Sequence, residues 1–408
     1  MDRGVRAVTA GAYAKLLRHP GVPRLAAAFL ALGTAATMTP VAFVLFAREA
    51  THSFATASLV LAASTAGGLL VAPARGRLVD RIGPRDAVLR LAIPDVATDI
   101  AFIAAGHAHA ATAILIALAF LAGAVSAPAG TALRSVWSDT LADDARQAGY
   151  ALLTILQETT YIAGPLVAGA VIALASTTAA VATIAVLSFA GALMFASAPA
   201  ADRHEPKPPH PGRLPALAGG GIRTLLATSA AFGLTFGVLD VAFPAFAHAH
   251  GSAASAGVLL SAFAAGVWIG GFLYGLRPRR QPATHLYPRL CLLAAAGLAP
   301  LIAMPGLIAM VPLCIVSGLC FAPVTTCQLA VIDEVAQPAH RAEAFTWLGT
   351  FYATGLAVGA AASGQLIAGP GTRAALAAAC GATLCAGLVT AVRGATLKQA
   401  GQAARTPA

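Results

Sequence analysis

Twelve apolar runs, each about as long as a bilayer core is thick, constrain this chain more than any other feature. A membrane-spanning helix needs about 20 apolar residues. The runs are too long for barrel strands and do not alternate strictly, so we expect an all-α membrane protein with twelve transmembrane helices in two six-helix halves. The predicted spans are Leu25–Phe46, Ala55–Ala74, Ala87–Ala105, Ala111–Leu133, Gly149–Ala173, Ala179–Ser197, Thr224–Ala247, Ala256–Leu276, Leu286–Met304, Leu307–Ala330, Ala344–Ile367 and Ala374–Val392.

The composition excludes a soluble globular protein. Hydrophobic residues make up 58% of the chain and charged residues 10%, against roughly 25% charged residues in soluble domains. So few charges could not cover the surface of a soluble chain of 408 residues. The sequence also lacks a Walker loop, an HExxH motif, a G-x-S-x-G motif and paired His/Cys spacing. We therefore expect no enzyme, no cofactor and no metal site.

The basic residues predict a topology rather than a nucleic-acid partner. The net charge is +10, with 26 Lys and Arg residues. If the N-terminus is cytoplasmic, all of them except Arg48 and Arg373 fall on the cytoplasmic side. The positive-inside rule then places both termini in the cytoplasm, where the basic loops can contact anionic lipid. With an alanine-rich, lysine-poor composition, this pattern predicts an integral plasma membrane protein of a bacterium.

A polar stretch divides the chain. It contains five prolines between residues 206 and 215, followed by three glycines, a composition typical of a linker that is semi-rigid and then flexible. We expect a cytoplasmic arm at 1–24, a six-helix bundle at 25–197, a cytoplasmic linker at 198–223, a second bundle at 224–392 and a cytoplasmic tail at 393–408.

The two halves repeat each other. Ala66-Gly67 recurs as Ala265-Gly266, and Gly76 recurs as Gly275, both 199 residues later. Further along, Gly123 recurs as Gly318, 195 residues later. An even number of spans in each repeat keeps the halves parallel, so they should be related by an axis along the membrane normal.

Four acidic residues fall inside predicted spans, where a carboxyl is costly and indicates function by default. Glu158 lies near the middle of the fifth span, and Asp240 lies deep in the seventh. Asp95 and Asp99 are four residues apart in the third span and share one helix face, where two carboxylates removed from water cannot easily both stay ionised. We treat all four as candidate proton or substrate residues. The alternatives are a protonated Glu158 bonded to a neighbouring threonine and, for Asp95 and Asp99, a structural polar contact with a neighbouring helix.

The segment between the second and third spans reads Gly76-Arg77-Leu78-Val79-Asp80-Arg81-Ile82-Gly83-Pro84-Arg85. This pattern, G-x-x-x-D-R-x-G-x-R between two spans, resembles the loop signature of the major facilitator superfamily. The resemblance implies twelve helices, a small-molecule substrate, a seventh span that lines a cavity and a peripheral third span. It also implies a cytoplasmic gate built from Gly76, Asp80, Arg81, Gly83, Arg85 and Arg134.

Within that gate, the resemblance implies that Asp80 meets the partner half near residues 342–345. Arg134 could hold Asp80 in place, and the arginines of the motif could pair with cytoplasmic acids or lipid phosphate. Gly76 and Gly83 would let the backbone turn and pack closely. The alternative is that the motif serves only to fix the topology.

The fifth span carries a second motif, Gly164-Pro165-Leu166-Val167-Ala168-Gly169. It resembles the helix-5 signature of drug:proton antiporters, which ends in G-P-x-x-G-G, with Ala168 in place of one glycine. Gly164, Pro165 and Gly169 would suit a surface on which the halves slide, although a plain packing kink is an equal alternative. The helix-4 signature of proton antiporters, with its embedded arginine, is not found.

These features predict a secondary transporter that works by alternating access. We expect it to export a small apolar or amphipathic compound, driven by protons. One alternative is uptake of a sugar, an amino acid or an organic acid by the same fold. Another is a membrane receptor or assembly factor that transports nothing.

Overall fold

The protein is described by a computed structural model that covers residues 21–140, 143–199, 220–275, 282–335 and 341–393. All regular structure in these ranges is helical. The helices are α1 Val22–Thr51, α2 Phe54–Ile82, α3 Pro84–His107, α4a Thr112–Val125, α4b Ala129–Thr140, α5 Asp143–Leu174, α6 Thr177–Ala196, α7 Gly220–Ala249, α8 Ser255–Gly275, α9 Ala283–Leu298, α10 Leu307–Val335, α11 Arg341–Ala368 and α12 Thr372–Val392. A short 3-10 turn, Ala299–Ala303, follows α9. Most of the predicted arm, linker and tail lies outside the described residues.

The prediction of twelve helical spans holds for the fold, with one difference in the fourth. The expected continuous helix over 111–133 is broken at residues 126–128, between α4a and α4b. Pro128, whose ring lacks an N–H and clashes with the preceding helical turn, favours the break but does not by itself require it, since its repeat counterpart Pro323 lies inside continuous α10. Prolines elsewhere, such as Pro40 and Pro165, are accommodated inside continuous helices.

Eleven of the described segments are long and apolar enough to span a membrane, α4a and α4b being counted together. The remaining one, α3, contains five charged residues: Arg85, Asp86, Arg90, Asp95 and Asp99. Two of these are the aspartates that the sequence placed in the third span. Helix α3 therefore has two carboxyls, those of Asp95 and Asp99, that are buried in the bundle.

Glycines pack matching helices together in both halves. A Cβ added at Gly67 on α2 would overlap the backbone of Phe120 on α4a, and one added at Gly123 would overlap Ser64. Gly266 on α8 and Gly318 on α10 meet Ile315 and Phe263 in the same way. These are the positions that the sequence repeat pairs, so the repeat reflects the same helix-to-helix approach made twice.

The halves are in contact at one end of the bundle. We call the end that carries Val22 and Arg81 the basic end, and the end that carries Thr51 and Phe54 the far end. Near the far end, Ser58 on α2 donates a hydrogen bond to the Ala361 carbonyl on α11, at 3.4 Å. Ser261 on α8 donates to the Ile162 carbonyl on α5, at 2.7 Å.

Two glycines make equivalent contacts across this boundary. A Cβ at Gly169 on α5 would press on Ala254, just before α8, and on Gly257 of α8, and one at Gly364 on α11 would press on Phe54 and Ser58 of α2. Toward the basic end the packing is open, because Cβ atoms at Gly76 on α2 and Gly349 on α11 would meet no atom within 4 Å. Hydrogen bonds and glycine contacts therefore close the far end, and the halves make no such contact at Gly76 and Gly349 toward the basic end.

Candidate functional site

A cavity of about 630 Å³ lies between the two halves. Its walls come from α1 to α8 and from α11. Most of the lining is aliphatic or aromatic, and polar side chains are interspersed among it. The size falls within the range of small-molecule sites, which are largely apolar with a few placed polar groups.

All four acidic residues singled out from the sequence line this cavity: Asp95, Asp99, Glu158 and Asp240. They come from three different helices, so the fold brings together residues up to 145 positions apart in sequence. The expectation that the third span is peripheral is wrong for these residues. The small side chains Gly68, Ala122 and Gly123 on α2 and α4a also line the cavity, and they leave room for it to reach α3.

Glu158 lies in the middle of α5 and is half-buried. The two threonines that could have hydrogen-bonded to it do not. Thr159 donates to the Ile155 carbonyl, and Thr160 donates to the Gln157 carbonyl. The carboxyl of Glu158 is therefore not hydrogen-bonded by either threonine, and Glu158 lines the cavity.

Two tyrosines connect the acidic residues of the two halves. Tyr161 on α5 is close to Gln157 and interacts electrostatically with Glu158 and Asp240. Tyr352 on α11 interacts in the same way with Tyr161 and Asp240. Tyr161 lies inside the bundle, yet 47% of its surface is accessible because it borders the open cavity. The sequence analysis did not single out either tyrosine.

Aromatic side chains of the second half form one wall of the cavity. The ring of Phe236 on α7 lies 5.5 Å from the ring of Phe263 and 5.9 Å from that of Tyr352. All three residues line the cavity. Such rings offer apolar faces and, for a cationic group, an attractive quadrupole.

Arg75 on α2 fills the break in the fourth span. Its guanidinium donates to the Ser126 carbonyl at 2.6 Å, to the Ser126 hydroxyl and to the Gly68 carbonyl at 2.6 Å. It also interacts electrostatically with Asp95 on α3. Carbonyl oxygens at the C-terminal end of a helix lack partners within that helix. At the end of α4a they accept hydrogen bonds from a cationic side chain of the same half.

Sequence reasoning missed Arg75, because it was counted among the basic residues that set the topology. The sequence did contain a pattern that could have identified Arg75. Arg75 lies two helical turns after Gly68, and the fourth span contains Ser126 and Pro128. A proline break in a span leaves carbonyls without partners, and these need a donor from a neighbouring helix.

The predicted gate residues lie at the basic end, outside the cavity. Asp80, Arg81, Arg85 and Arg134 all have exposed side chains. Gly83 has φ 88°, a conformation that favours glycine, and it separates α2 from α3. Gly76 was expected to turn the backbone and pack closely, and it does neither here. It lies within continuous α2, and no atom of the partner half is near it in this open arrangement.

The helix-5 motif divides between two kinds of contact. Gly164 abuts Thr37 on α1, and the Thr37 hydroxyl donates to the Thr160 carbonyl at 2.7 Å. Gly169 instead meets α8 of the other half, and the Pro165 carbonyl packs against Gly257. Gly164 therefore allows close packing within the first half, and Gly169 allows close packing between the two halves.

Comparison with known proteins decides the family. The family model for the Major Facilitator Superfamily matches residues 25–232 and again residues 225–406. The chain belongs to the Major Facilitator Superfamily. The two successive matches correspond to the two halves of the fold. A comparison with curated proteins gives no match.

Solved structures of other transporters share the fold. A bacterial homologue of the human lysosomal transporter Spinster, in an inward-facing and unoccupied conformation, aligns with a TM-score of 0.70 at 14% identity, over 98% of this chain and 100% of that one. The nucleoside transporter NupG aligns with a TM-score of 0.76 at 11% identity, over 91% of this chain and 98% of that one. A bacterial homologue of the iron transporter ferroportin, in an inward-facing state, aligns with a TM-score of 0.72 at 13% identity. The alignment covers 91% of this chain and 98% of that one. At such identities the likeness establishes the fold alone.

The described residues offer no metal centre of the usual kind. Within those ranges there is no group of three or more His, Cys, Asp or Glu side chains that could hold a metal ion. The polar groups that the fold brings together at the cavity are its four carboxyls and its two tyrosines, with Arg75 beside them.

Proposed function

We propose that this protein is a secondary active transporter that exports a small apolar or amphipathic compound in exchange for protons. The observation that carries the proposal is the cavity between the halves, closed at the far end and lined by carboxyls from both halves. A site that opens to one side at a time is what alternating access requires.

The basic end is the cytoplasmic end in this proposal, because the positive-inside rule assigns the arginine-rich loops to the cytoplasm. The conformation described here is then inward-facing. Two of the solved structures with this fold carry the same description in their own titles. Opening of the far-end contacts and closure around Asp80 would give the opposite state.

The chemistry of the cavity supports an amphipathic substrate over a sugar. Phe43, Phe236 and Phe263 give it aromatic walls, and Gln157 is the amide side chain among its lining residues. A sugar site usually presents several amides and a tryptophan to the hydroxyl groups. Uptake of an amino acid or organic acid is the second candidate, favoured by Arg75, which contacts the lining residues Gly68 and Ser126 and could attract a carboxylate.

Glu158 and Asp240 support proton coupling. They lie on α5 and α7, in different halves, and both interact with Tyr161. A carboxyl that borders a cavity within the membrane can be protonated on one side and deprotonated on the other when access alternates. A receptor that transports nothing would not require such groups, so their position argues against that alternative.

Transport by the purified protein in proteoliposomes tests the proposal. A panel of lipophilic cations, neutral amphipaths, sugars, amino acids and organic acids would be measured with and without an imposed pH gradient. We expect accumulation of an amphipathic compound against its gradient when the proton gradient is imposed, and loss of that accumulation in Glu158→Gln. Asp86→Asn is the matched control, because Asp86 is an exposed acid outside the cavity. Gradient-independent movement of every compound would refute proton coupling.

A further inference from the structure

A second group of charged residues in the cavity lies wholly within the first half. Asp95 and Asp99 are one turn apart on α3, and only 6% and 2% of their surfaces are exposed. Both line the cavity. One carboxylate oxygen of Asp99, Oδ2, is buried and has no hydrogen-bond partner among the residues that the structure describes. A buried polar atom without a partner is costly, so this oxygen needs an explanation.

The charged neighbours of these aspartates are few. From α2, the guanidinium of Arg75 interacts with Asp95. From α3 itself, Asp95 is the charged group that acts on Asp99. From α6, Ser188 faces Asp95, and neither Thr177–Ala196 nor α4a contains an ionisable side chain.

The remaining charges on the elements around α3 lie at the ends of the bundle. Arg24, Arg48 and Glu49 lie at the two ends of α1. Arg134 on α4b has an exposed side chain at the basic end, as do Arg77, Asp80 and Arg81 on α2 and the charged residues of the first turns of α3. Arg75 is therefore the cation that faces this pair within the described part of the bundle.

The charges balance when one proton is added. Arg75 contributes one positive charge, and the two aspartates contribute two negative charges when both are ionised. A net charge removed from water is unfavourable, whereas a neutral arrangement is not. Asp95 has both the guanidinium of Arg75 and the Ser188 hydroxyl to favour its carboxylate. Asp99 faces a like charge and has an oxygen without a partner, so the proton belongs on Asp99.

We propose that Asp99 is a proton-binding site of the first half, with Asp95 and Arg75 as its charged partners, separate from Glu158 and Asp240. Hydronium from the solvent delivers the proton through the cavity and leaves a water molecule, and the carboxylate of Asp99 becomes a carboxylic acid. A metal cation fits less well, because two carboxylates and one hydroxyl supply too few oxygen ligands. The use of this proton in transport rests on the proposed function, whereas its binding to Asp99 does not.

Infrared pH-difference spectroscopy of the purified full-length protein measures this proton without a substrate. Titration from acid to alkaline pH in detergent should show the loss of a protonated-carboxyl band. We expect that band to persist in the double variant Glu158→Gln/Asp240→Asn, and its Asp99 component to be lost in Asp99→Asn. Asp86→Asn, at an exposed acid outside the cavity, should leave the Asp99 component of the spectrum unchanged. A spectrum of Asp99→Asn identical to that of the unmodified protein would overturn the proposal.

Two further variants keep the test decisive. Arg75→Gln removes the cation, so Asp95 should also take up a proton and the protonated-carboxyl band should grow. If Asp99→Asn fails to fold, Asp99→Glu retains a carboxyl and should shift the frequency of the band. A band unchanged by both Asp99→Glu and Arg75→Gln would also overturn the proposal. Loss of transport in Glu158→Gln, with the Asp99 band intact, would concern only the role of Glu158 in coupling. It would leave proton binding at Asp99 unaffected.

Discussion

Gly169 on α5 and Gly257 on α8 face each other across the boundary between the halves, with backbone against backbone. A Cβ at Gly257 would overlap the Pro165 carbonyl oxygen, and one at Gly169 would lie 3.3 Å from the Gly257 Cα. The equivalent contact of Gly364 with Ser58 closes the other side of the far end. The closed state therefore depends on the absence of side chains at these positions.

Gly257→Ala should weaken the closed far end. The added methyl group forces α5 and α8 apart at a cost of about 1–3 kcal/mol, which shifts a two-state population by about 5- to 150-fold. A cysteine placed at Arg48 in a cysteine-free background should then react faster with an impermeant maleimide. Gly381→Ala is the control, since its Cβ would meet no atom within 4 Å. Equal labelling rates in the two variants would contradict the closure.

The topology can be tested with the same reagent in intact cells. We expect cysteines that replace Arg48 at the end of α1 and Arg373 at the start of α12 to be labelled from outside. A cysteine at Lys207, in the predicted linker outside the described residues, should be labelled only after lysis. Labelling of position 207 in intact cells would reverse the orientation and would make the conformation described here outward-facing.

Neutralisation of the carboxyls between the halves should separate binding from coupling. Glu158→Gln and Asp240→Asn preserve the shape of each side chain but remove its ability to carry a proton. We expect substrate binding to persist and transport driven by a pH gradient to be lost, while exchange of substrate for substrate continues. Proteoliposome flux measures both activities. Normal gradient-driven transport in both variants would remove these residues from the mechanism.

Asp80→Asn tests the gate that the loop signature implies. Asp80 is exposed at the end of α2 in the conformation described here, and its predicted partner is the N-terminal end of α11. A helix N-terminus attracts a carboxylate by about 0.3–1 kcal/mol at an exposed site. The variant should therefore favour the state that is open at the basic end and should transport more slowly. If the motif serves topology alone, accessibility and transport in Asp80→Asn will equal those of the unmodified protein.

Glycine contacts within each half should set stability rather than conformation. Gly67→Ala and Gly266→Ala each place a methyl group against a backbone carbonyl of the neighbouring helix. We expect each to lower the free energy of unfolding by about 1–3 kcal/mol, measured as a lower midpoint of thermal unfolding in detergent. Gly349→Ala, at a site with open space, should have little effect. A similar midpoint for all three variants would show that the helices can move apart at low cost.

The sequence predicted the helical fold because span length, hydropathy and the repeat all follow from the local pattern of residues. It placed Asp95, Asp99, Glu158 and Asp240 as candidates, because an acid in an apolar run stands out. It could not predict that the cavity reaches α3, since this depends on how small residues of α2 and α4a leave space. For the same reason it did not predict the tyrosine pair, whose members come from α5 and α11 and look like ordinary aromatic residues in their own helices.

Arg75 also marks where the two repeats have diverged. Its counterpart 199 residues later is Tyr274, and the corresponding helix of the second half, α10, runs without a break from Leu307 to Val335. The first half therefore has a broken helix and an internal cation where the second half has a continuous helix. The residue swap Arg75→Tyr would give the first half the side chain that the second half has at this position, and would leave the carbonyl at the break without its cationic donor.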